Sequence, residues 1–329
     1  MVHIPVLLDK AIDFLRCEPG RVYVDVTLGD GGHAEAILEK SSPSGILIGI
    51  DRDGDSIKYA QERLSLYQKR TILFHENFRN IKNVVTARAE FPKLAPLCLK
   101  TGPAPCSDRG VDGILFDLGV STRQLMTAER GFSFSKDAPL DMRMDRSVGV
   151  TASEIINNKS ERELRDIIWR YGEERRAKEI ARTIVRERSG SPIMTTSQLS
   201  NIVVSAIPPV YRSKRIHPAT KTFQAVRIAV NSEIEILEGA IRDAVDISND
   251  GGRICVISYH SLEDRIVKNL FRELERGCIC PPNIPQCVCG KKGIIKILTK
   301  RPVTPSEEEI KRNPRSRSAK LRAAERMKN

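Results

Sequence analysis

Three acidic residues close apolar runs in the N-terminal part of the chain: Asp25 after Tyr23-Val24, Asp51 after Ile48-Gly49-Ile50, and Asp117 after Ile114-Leu115-Phe116. Behind the first lies Thr27-Leu28-Gly29-Asp30-Gly31-Gly32-His33-Ala34, in which Gly29, Gly31 and Ala34 satisfy the nucleotide-binding pattern G-x-G-x-x-G/A. Glycine at such positions lets the backbone bend tightly and approach a ligand without a Cβ clash. Two chemistries use the pattern, hydride transfer with a dinucleotide and methyl transfer from S-adenosylmethionine; a third reading is a turn with no function. Asp25 separates the first two, because a carboxylate just before the glycines repels a pyrophosphate but suits the cationic amino acid moiety of S-adenosylmethionine. Asp51 follows the glycines by roughly twenty residues, where a carboxylate accepts hydrogen bonds from both ribose hydroxyls in either class. Its alternative role is to cap the next helix. Phe78, after Asn77, belongs either beside an adenine or in the core. Asp117 closes a fourth strand near the switch point where such sheets bind ligands, and reads as a pocket acid.

These residues need a scaffold, and the apolar patterning supplies one. Strands are expected over 21–26, 45–50, 71–75 and 111–116, with helices over 33–39 and 55–66 between them. Strands separated by helices imply parallel βαβ units and a doubly wound α/β sheet. The stretch 86–110, with Pro92, Pro96, Pro103 and Pro105, reads as a helix followed by an irregular loop. From 153 to 206 only helical signals occur. Ser160 and Glu163 form a capping box before Leu164, Gly172 can end that helix, another runs on from 173 to 188, and Pro208-Pro209 stop the third at 197–206. Alternation then resumes with one long helix over 219–247, a strand over 253–258, a helix over 262–275 and a last strand over 293–299. The expected organisation is a nucleotide-binding core in two parts, 1–130 and 216–300, a helical insertion at 131–215 for substrate recognition, and a basic tail at 301–329.

A net charge of +12 favours a polyanionic partner, and its distribution strengthens that reading. From Lys311 onward eight Lys or Arg residues face one acid, Glu325. Aromatic residues are only 5% of the chain, which argues against a stacking platform as the main binding surface. No apolar run has membrane-spanning length and the N-terminus lacks a signal-peptide pattern, so a cytoplasmic enzyme is expected. In that setting the eight cysteines read as thiols. Cys278, Cys280, Cys287 and Cys289 crowd into one segment around Pro281, Pro282 and Pro285. They form either a structural zinc site or a free-thiol loop, the C-x-C spacing being tighter than the usual knuckle.

Longer motifs connect these pieces. His3-Ile4-Pro5-Val6-Leu7-Leu8, the Gly29–His33 loop, Ile50-Asp51-Arg52-Asp53, Glu129-Arg130-Gly131-Phe132-Ser133-Phe134 and Pro139-Leu140-Asp141-Met142-Arg143-Met144-Asp145 occur in order. Tyr171-Gly172-Glu173-Glu174-Arg175, His217-Pro218-Ala219-Thr220-Lys221-Thr222-Phe223-Gln224-Ala225-Val226-Arg227, Ser261-Leu262-Glu263-Asp264-Arg265 and Asn313-Pro314-Arg315-Ser316-Arg317-Ser318 follow. In these the chain resembles the bacterial RsmH (MraW) family of small-subunit ribosomal RNA cytosine-N4 methyltransferases. The resemblance implies a Rossmann-like S-adenosylmethionine-dependent core with an inserted all-helical domain. It implies cofactor contacts from Gly31, Gly32, His33, Asp51, Phe78, Asp117 and Gln124. It also implies methylation of one cytidine in the decoding region of 16S rRNA, for which an assembled small subunit is the favoured form. The stretch 86–110 is longer than the family's usual one, and no functional residue is carried across it.

The cytosine amine is a weak nucleophile, so catalysis must come from holding nitrogen, methyl and sulfur in line. Many amino-methyltransferases use an Asn/Asp-Pro-Pro-aromatic loop for this, but here the position reads Asp117-Leu118-Gly119-Val120. Asp117 either accepts a hydrogen bond from the amine or serves only the cofactor. The base must also be unstacked to enter the pocket, past the 131–145 loop with Arg143, past His217 to Arg227, or past the Tyr259-His260-Ser261 turn. His260 is either a proton acceptor or a structural or RNA-contacting residue. Arg143, Arg227 and Arg265 either hold phosphates or pair internally. A dehydrogenase lacks support from Asp25 and from any second catalytic domain, and a DNA amino-methyltransferase should show the missing Pro-Pro loop. A non-enzymatic ribosome-assembly factor is disfavoured by the intact glycine loop.

Overall fold

The structure, a computed structural model, describes residues 5–87, 110–213, 216–278, 280 and 289–328. It divides into two units, one made of Met1–Gly119 with Ile236–Asn329 and the other of Val120–Glu235. The first is built on a seven-stranded sheet of order β3-β2-β1-β4-β5-β7-β6, comprising β1 (Val22–Asp25), β2 (Ile46–Asp51), β3 (Thr71–His75), β4 (Val111–Asp117), β5 (Ser248–Ser258), β6 (Ile295–Ile297) and β7 (Lys320–Arg326). The strands β1 to β5 are parallel, while β7 runs antiparallel to both β5 and β6. Strand order reverses direction between β1 and β4, which makes their carboxyl ends the switch point.

The period-two geometry of a strand explains the two buried layers. Ile48, Ile50, Ile114, Phe116, Ile254 and Val256 face one core cluster. Their neighbours Leu47, Leu115, Cys255 and Ile257 face a second. Strands apolar on both faces require helical cover on both. The helix Leu237–Asp246 supplies it on the first face with Leu237, Ala240, Ile241, Ala244 and Val245 at helical spacing, and Gly32–Lys40 on the second with Ala34, Ile37 and Leu38.

The Val120–Glu235 unit is helical, with Ala152–Asn158, Glu161–Gly172, Ala177–Arg188, Thr196–Ala206 and Thr220–Asn231 as its main helices. The capping box of Ser160 and Glu163 forms as read, and Thr151 with Glu154 and Thr195 with Gln198 make two more. Ile156, Leu164, Ile168, Ile180, Ile184, Leu199 and Phe223 meet in its core.

Three expectations change. The insertion spans 120–235 instead of 131–215. The long helix expected over 219–247 is two helices, because Ser232 turns left-handed at φ 50°. There Arg227 grips Glu233 with two hydrogen bonds of 3.0 and 2.9 Å, and Asn231 binds the Met142 and Arg227 carbonyls. The basic tail is folded: β7 sits in the sheet beside β5, and Arg322, 7% exposed, bonds Asp264 at 2.6 Å. Its charge is therefore partly spent on internal pairs. Of the stretch 86–110, the described part ends a helix at Ala87; residues 88–109 lie outside the described residues. No helix among the described residues is long and apolar enough to cross a membrane.

Candidate active site

After Asp25 the chain turns through Gly29 and Gly31, both left-handed at φ 51° and 80°. A Cβ built on Gly29 would meet nothing nearer than the Thr27 carbonyl oxygen at 3.9 Å, so the loop leaves room for a ligand to approach its backbone. Gly32 has another reason to be glycine: its Cβ would lie 2.4 Å from Pro5 Cγ. Asp51, at the end of β2, ties the loop down. Its carboxylate accepts the Gly29 N–H at 2.7 Å and the Asp53 N–H at 2.8 Å. A carboxylate has about four acceptor sites, so the pair required by two ribose hydroxyls remains. Burial raises Asp51 to about 6, although both N–H donors favour its charge. The alternative of a helix cap falls to its neighbour, since Asp53 caps Gly54–Arg63 by accepting the Asp55 N–H.

Asp25 is 1% exposed and accepts the Thr27 N–H at 3.1 Å, which makes it a support beneath the loop. Burial pushes it up to about 8, with the charges of Asp117 and Asp51 adding to the rise.

Asp117 has neighbours on three sides. Its backbone N–H donates to Thr27 Oγ1 at 2.6 Å, and its Oδ1 accepts the Tyr259 hydroxyl at 2.8 Å. Its Oδ2 lies 3.6 Å from His33 Nδ1. The other nitrogen of His33 is 3.0 Å from the Val6 carbonyl, which can only accept, so Nε2 carries the proton. Burial pushes His33 down to about 4, so near neutrality a nitrogen lone pair, not a cation, faces Asp117. The Tyr259 hydroxyl is raised well above 10 by burial and by Asp117, which keeps it a donor. Sequence reasoning placed Tyr259 in a turn near the pocket but missed this contact, and missed Thr27 altogether. Nothing in the spacing of Asp117 and Tyr259 signals their meeting.

The other expected residues are placed as follows. Phe78 is 9% exposed and packs edge-on against Phe116, with ring centroids 6.0 Å apart, which is its core alternative. His260 caps Ser261–Arg276: its Nδ1 accepts the Glu263 N–H at 3.4 Å, and its Nε2 is 3.0 Å from Glu263 Oε1. Arg265 is exposed on that helix. In the helical unit, Gln124 is buried and closes a capping box with Ser121, its Oε1 accepting the Ser121 N–H at 3.0 Å. Arg143 pairs with Asp141 at 2.8 Å and Arg227 with Glu233 at 2.9 Å, so both of these cations pair internally. His217 stacks on Phe134 with centroids 4.6 Å apart. It lines a cleft of about 410 Å³ that also holds Arg175, Arg176, Tyr211, Arg212 and Lys221. The Cys278, Cys280 and Cys289 sulfurs gather within 4.8 Å, and Cys287 lies outside the described residues.

What the geometry presents is a backbone loop open to a ligand, a ribose-type acceptor in Asp51, and an oriented acid in Asp117, all at the ends of parallel strands. Comparison with known proteins gives this arrangement a family. Over 325 residues the chain is 50% identical to ribosomal RNA small subunit methyltransferase H of Syntrophus aciditrophicus, covering 99% of this chain and 98% of that one. It is 49% identical to the protein of the same name from Halothermothrix orenii over 328 residues, 99% of each. A solved rRNA methylase from Streptococcus thermophilus aligns over 99% of this chain and 100% of its own, at 10% identity and TM-score 0.41. The MraW methylase family model matches residues 1–327, and the chain accordingly belongs to that family, with a Rossmann-like S-adenosylmethionine-dependent methyltransferase core.

Proposed function

We infer that the chain transfers a methyl group from S-adenosylmethionine to the exocyclic N4 amine of a cytidine in 16S rRNA, acting in the cytoplasm on the small ribosomal subunit. The observation that carries this reading is the Asp117 carboxylate, oriented by Tyr259 at the switch point beside the glycine loop. The relatives named ribosomal RNA small subunit methyltransferase H, matched over nearly their whole length, support the class of RNA.

S-adenosylmethionine, when bound, supplies an electrophilic methyl on a sulfonium. Gly29 and Gly31 admit its close approach, Gly32 and His33 begin the helix beneath it, and Asp51 accepts from its ribose. Phe78 is a core residue of the first unit and Gln124 a cap residue of the helical unit. The Asp117 carboxylate, oriented by Tyr259 at Oδ1, accepts a hydrogen bond from the cytosine amine. That bond aims the nitrogen, which is where in-line transfer gains its rate. Asp117, or solvent beside it, would take the proton that the amine gives up. Arg175, Arg176 and Lys221 around the His217 cleft offer the helical unit a basic surface for RNA phosphates. Arg143 and Arg227 are engaged with acids and leave the phosphate contacts to the cleft residues.

The test is transfer of labelled methyl from S-adenosylmethionine to unmethylated small subunits, followed by nucleoside analysis. Labelled N4-methylcytidine at one site is the expected product. A different methylated nucleoside, or no transfer despite cofactor binding, overturns the assignment.

A further inference from the structure

The cysteine-bearing connection between Ser261–Arg276 and β6 plays no part in the site above. Its two ends meet backbone to backbone. Gly277 is left-handed at φ 64°, and a Cβ there would lie 2.2 Å from the Lys292 carbonyl. A Cβ on Gly293 would lie 1.9 Å from the Glu275 carbonyl oxygen, and the Ile294 N–H donates to Leu274 at 2.9 Å. Only glycine allows this neck. It brings Cys278 and Cys289 together, with Cys280 beside them, and all three sulfurs lie within 4.8 Å of one another.

We propose that these thiols form a structural zinc site that clips the connection to the sheet edge. The spacing is diagnostic. Cys278 and Cys289 Sγ are 3.7 Å apart. A disulfide would place them about 2.0 Å apart, whereas two sulfurs at about 2.3 Å from a tetrahedral zinc are about 3.8 Å apart. The sulfurs are half-buried. Soft thiolates select zinc or an iron–sulfur cluster over hard cations, and thiolates gathered within one short connection fit structural zinc. The function follows from position: β6 is the edge strand, three residues long, and pairs only with β7 among the described strands. Each thiol releases its proton on binding, so affinity falls with pH.

The full-length protein, purified without metal-affinity steps, is tested by metal analysis after dialysis and by titration of stripped protein with cobalt(II) alone. Expected are stoichiometric zinc, a thiolate-to-cobalt charge-transfer band with tetrahedral visible bands, and loss of both in Cys278→Ser and Cys289→Ser. Stripping zinc from the wild type should lower its melting temperature while leaving a cooperative melt and S-adenosylmethionine binding, which guards against a variant that merely misfolds. Absence of zinc together with absence of the cobalt band, or iron with labile sulfide instead, overturns the proposal. Neither outcome bears on methyl transfer, which is measured separately.

Discussion

Replacing Tyr259 by Phe removes one oxygen and leaves the ring, so it isolates the hydrogen bond to Asp117 Oδ1 at 2.8 Å. A hydrogen bond to a charged partner is worth about 1.5–3 kcal/mol. If that energy holds Asp117 in the orientation that aims the amine, its loss lowers the rate of transfer by roughly 10- to 150-fold. Thr27 binds the Asp117 backbone, and His33, 3.6 Å away, supplies no proton to Oδ2 near neutrality, so neither of these replaces the phenol. The assay is single-turnover methyl transfer to unmethylated small subunits with S-adenosylmethionine saturating, beside a direct measurement of cofactor affinity. A positioning role predicts slower turnover with affinity changed less than about threefold, well under the energy of one charged hydrogen bond. A rate within twofold of wild type would refute the reasoning, and an equal loss in affinity would assign Asp117 to the cofactor alone.

Three further perturbations test the parts around it. Gly31→Ala forces an L-residue to φ 80°, at a cost of roughly 1–2 kcal/mol; calorimetry should show S-adenosylmethionine binding weakened at least severalfold, and unchanged affinity would mean the loop does not touch the ligand. Asp25 is raised to about 8 by burial, so between the unfolded value near 4 and about 8 the folded state holds the extra proton and stability falls as pH rises. Asp25→Asn removes that slope, by at most roughly 5 kcal/mol, and should be the more stable form above pH 8 in urea titrations; parallel curves from pH 5 to 9 would contradict the burial argument. Asn231 accepts the Met144 N–H and donates to the Met142 and Arg227 carbonyls at 2.9, 2.8 and 2.9 Å. Asn231→Ala should destabilise by about 2–3 kcal/mol, chiefly through the Met144 N–H left unpaired, with cofactor affinity intact; a melt within a degree of wild type would show that water substitutes.

What could be read from the residues, and what could not, follows from how local each cause is. The parallel strands were legible because burial on both faces leaves uninterrupted apolar runs such as Ile46–Asp51, and Asp51 was legible because its distance from the glycines is set by one βαβ unit. The left-handed break at Ser232 was not, since apolar spacing continues from Val230 to Ile234 and Leu237 as though the helix did; the break is made by Asn231 and by Arg227 reaching Glu233. β7 was hidden for a related reason. Lys-Leu-Arg-Ala-Ala-Glu-Arg has poor strand propensity and reads as a charged arm. It becomes a strand because β5 offers it an edge and Asp264 neutralises Lys320 and Arg322. The Asp117–Tyr259 bond joins residues 142 positions apart, and only the register of β4 beside β5 brings them together. Pairing Asp117 with Ile257 leaves Tyr259 just past the end of the neighbouring strand, so its hydroxyl can reach back to the carboxylate. The acid could be found from its place at the end of a strand; its orientation belongs to the sheet, and so does whatever rate that orientation contributes.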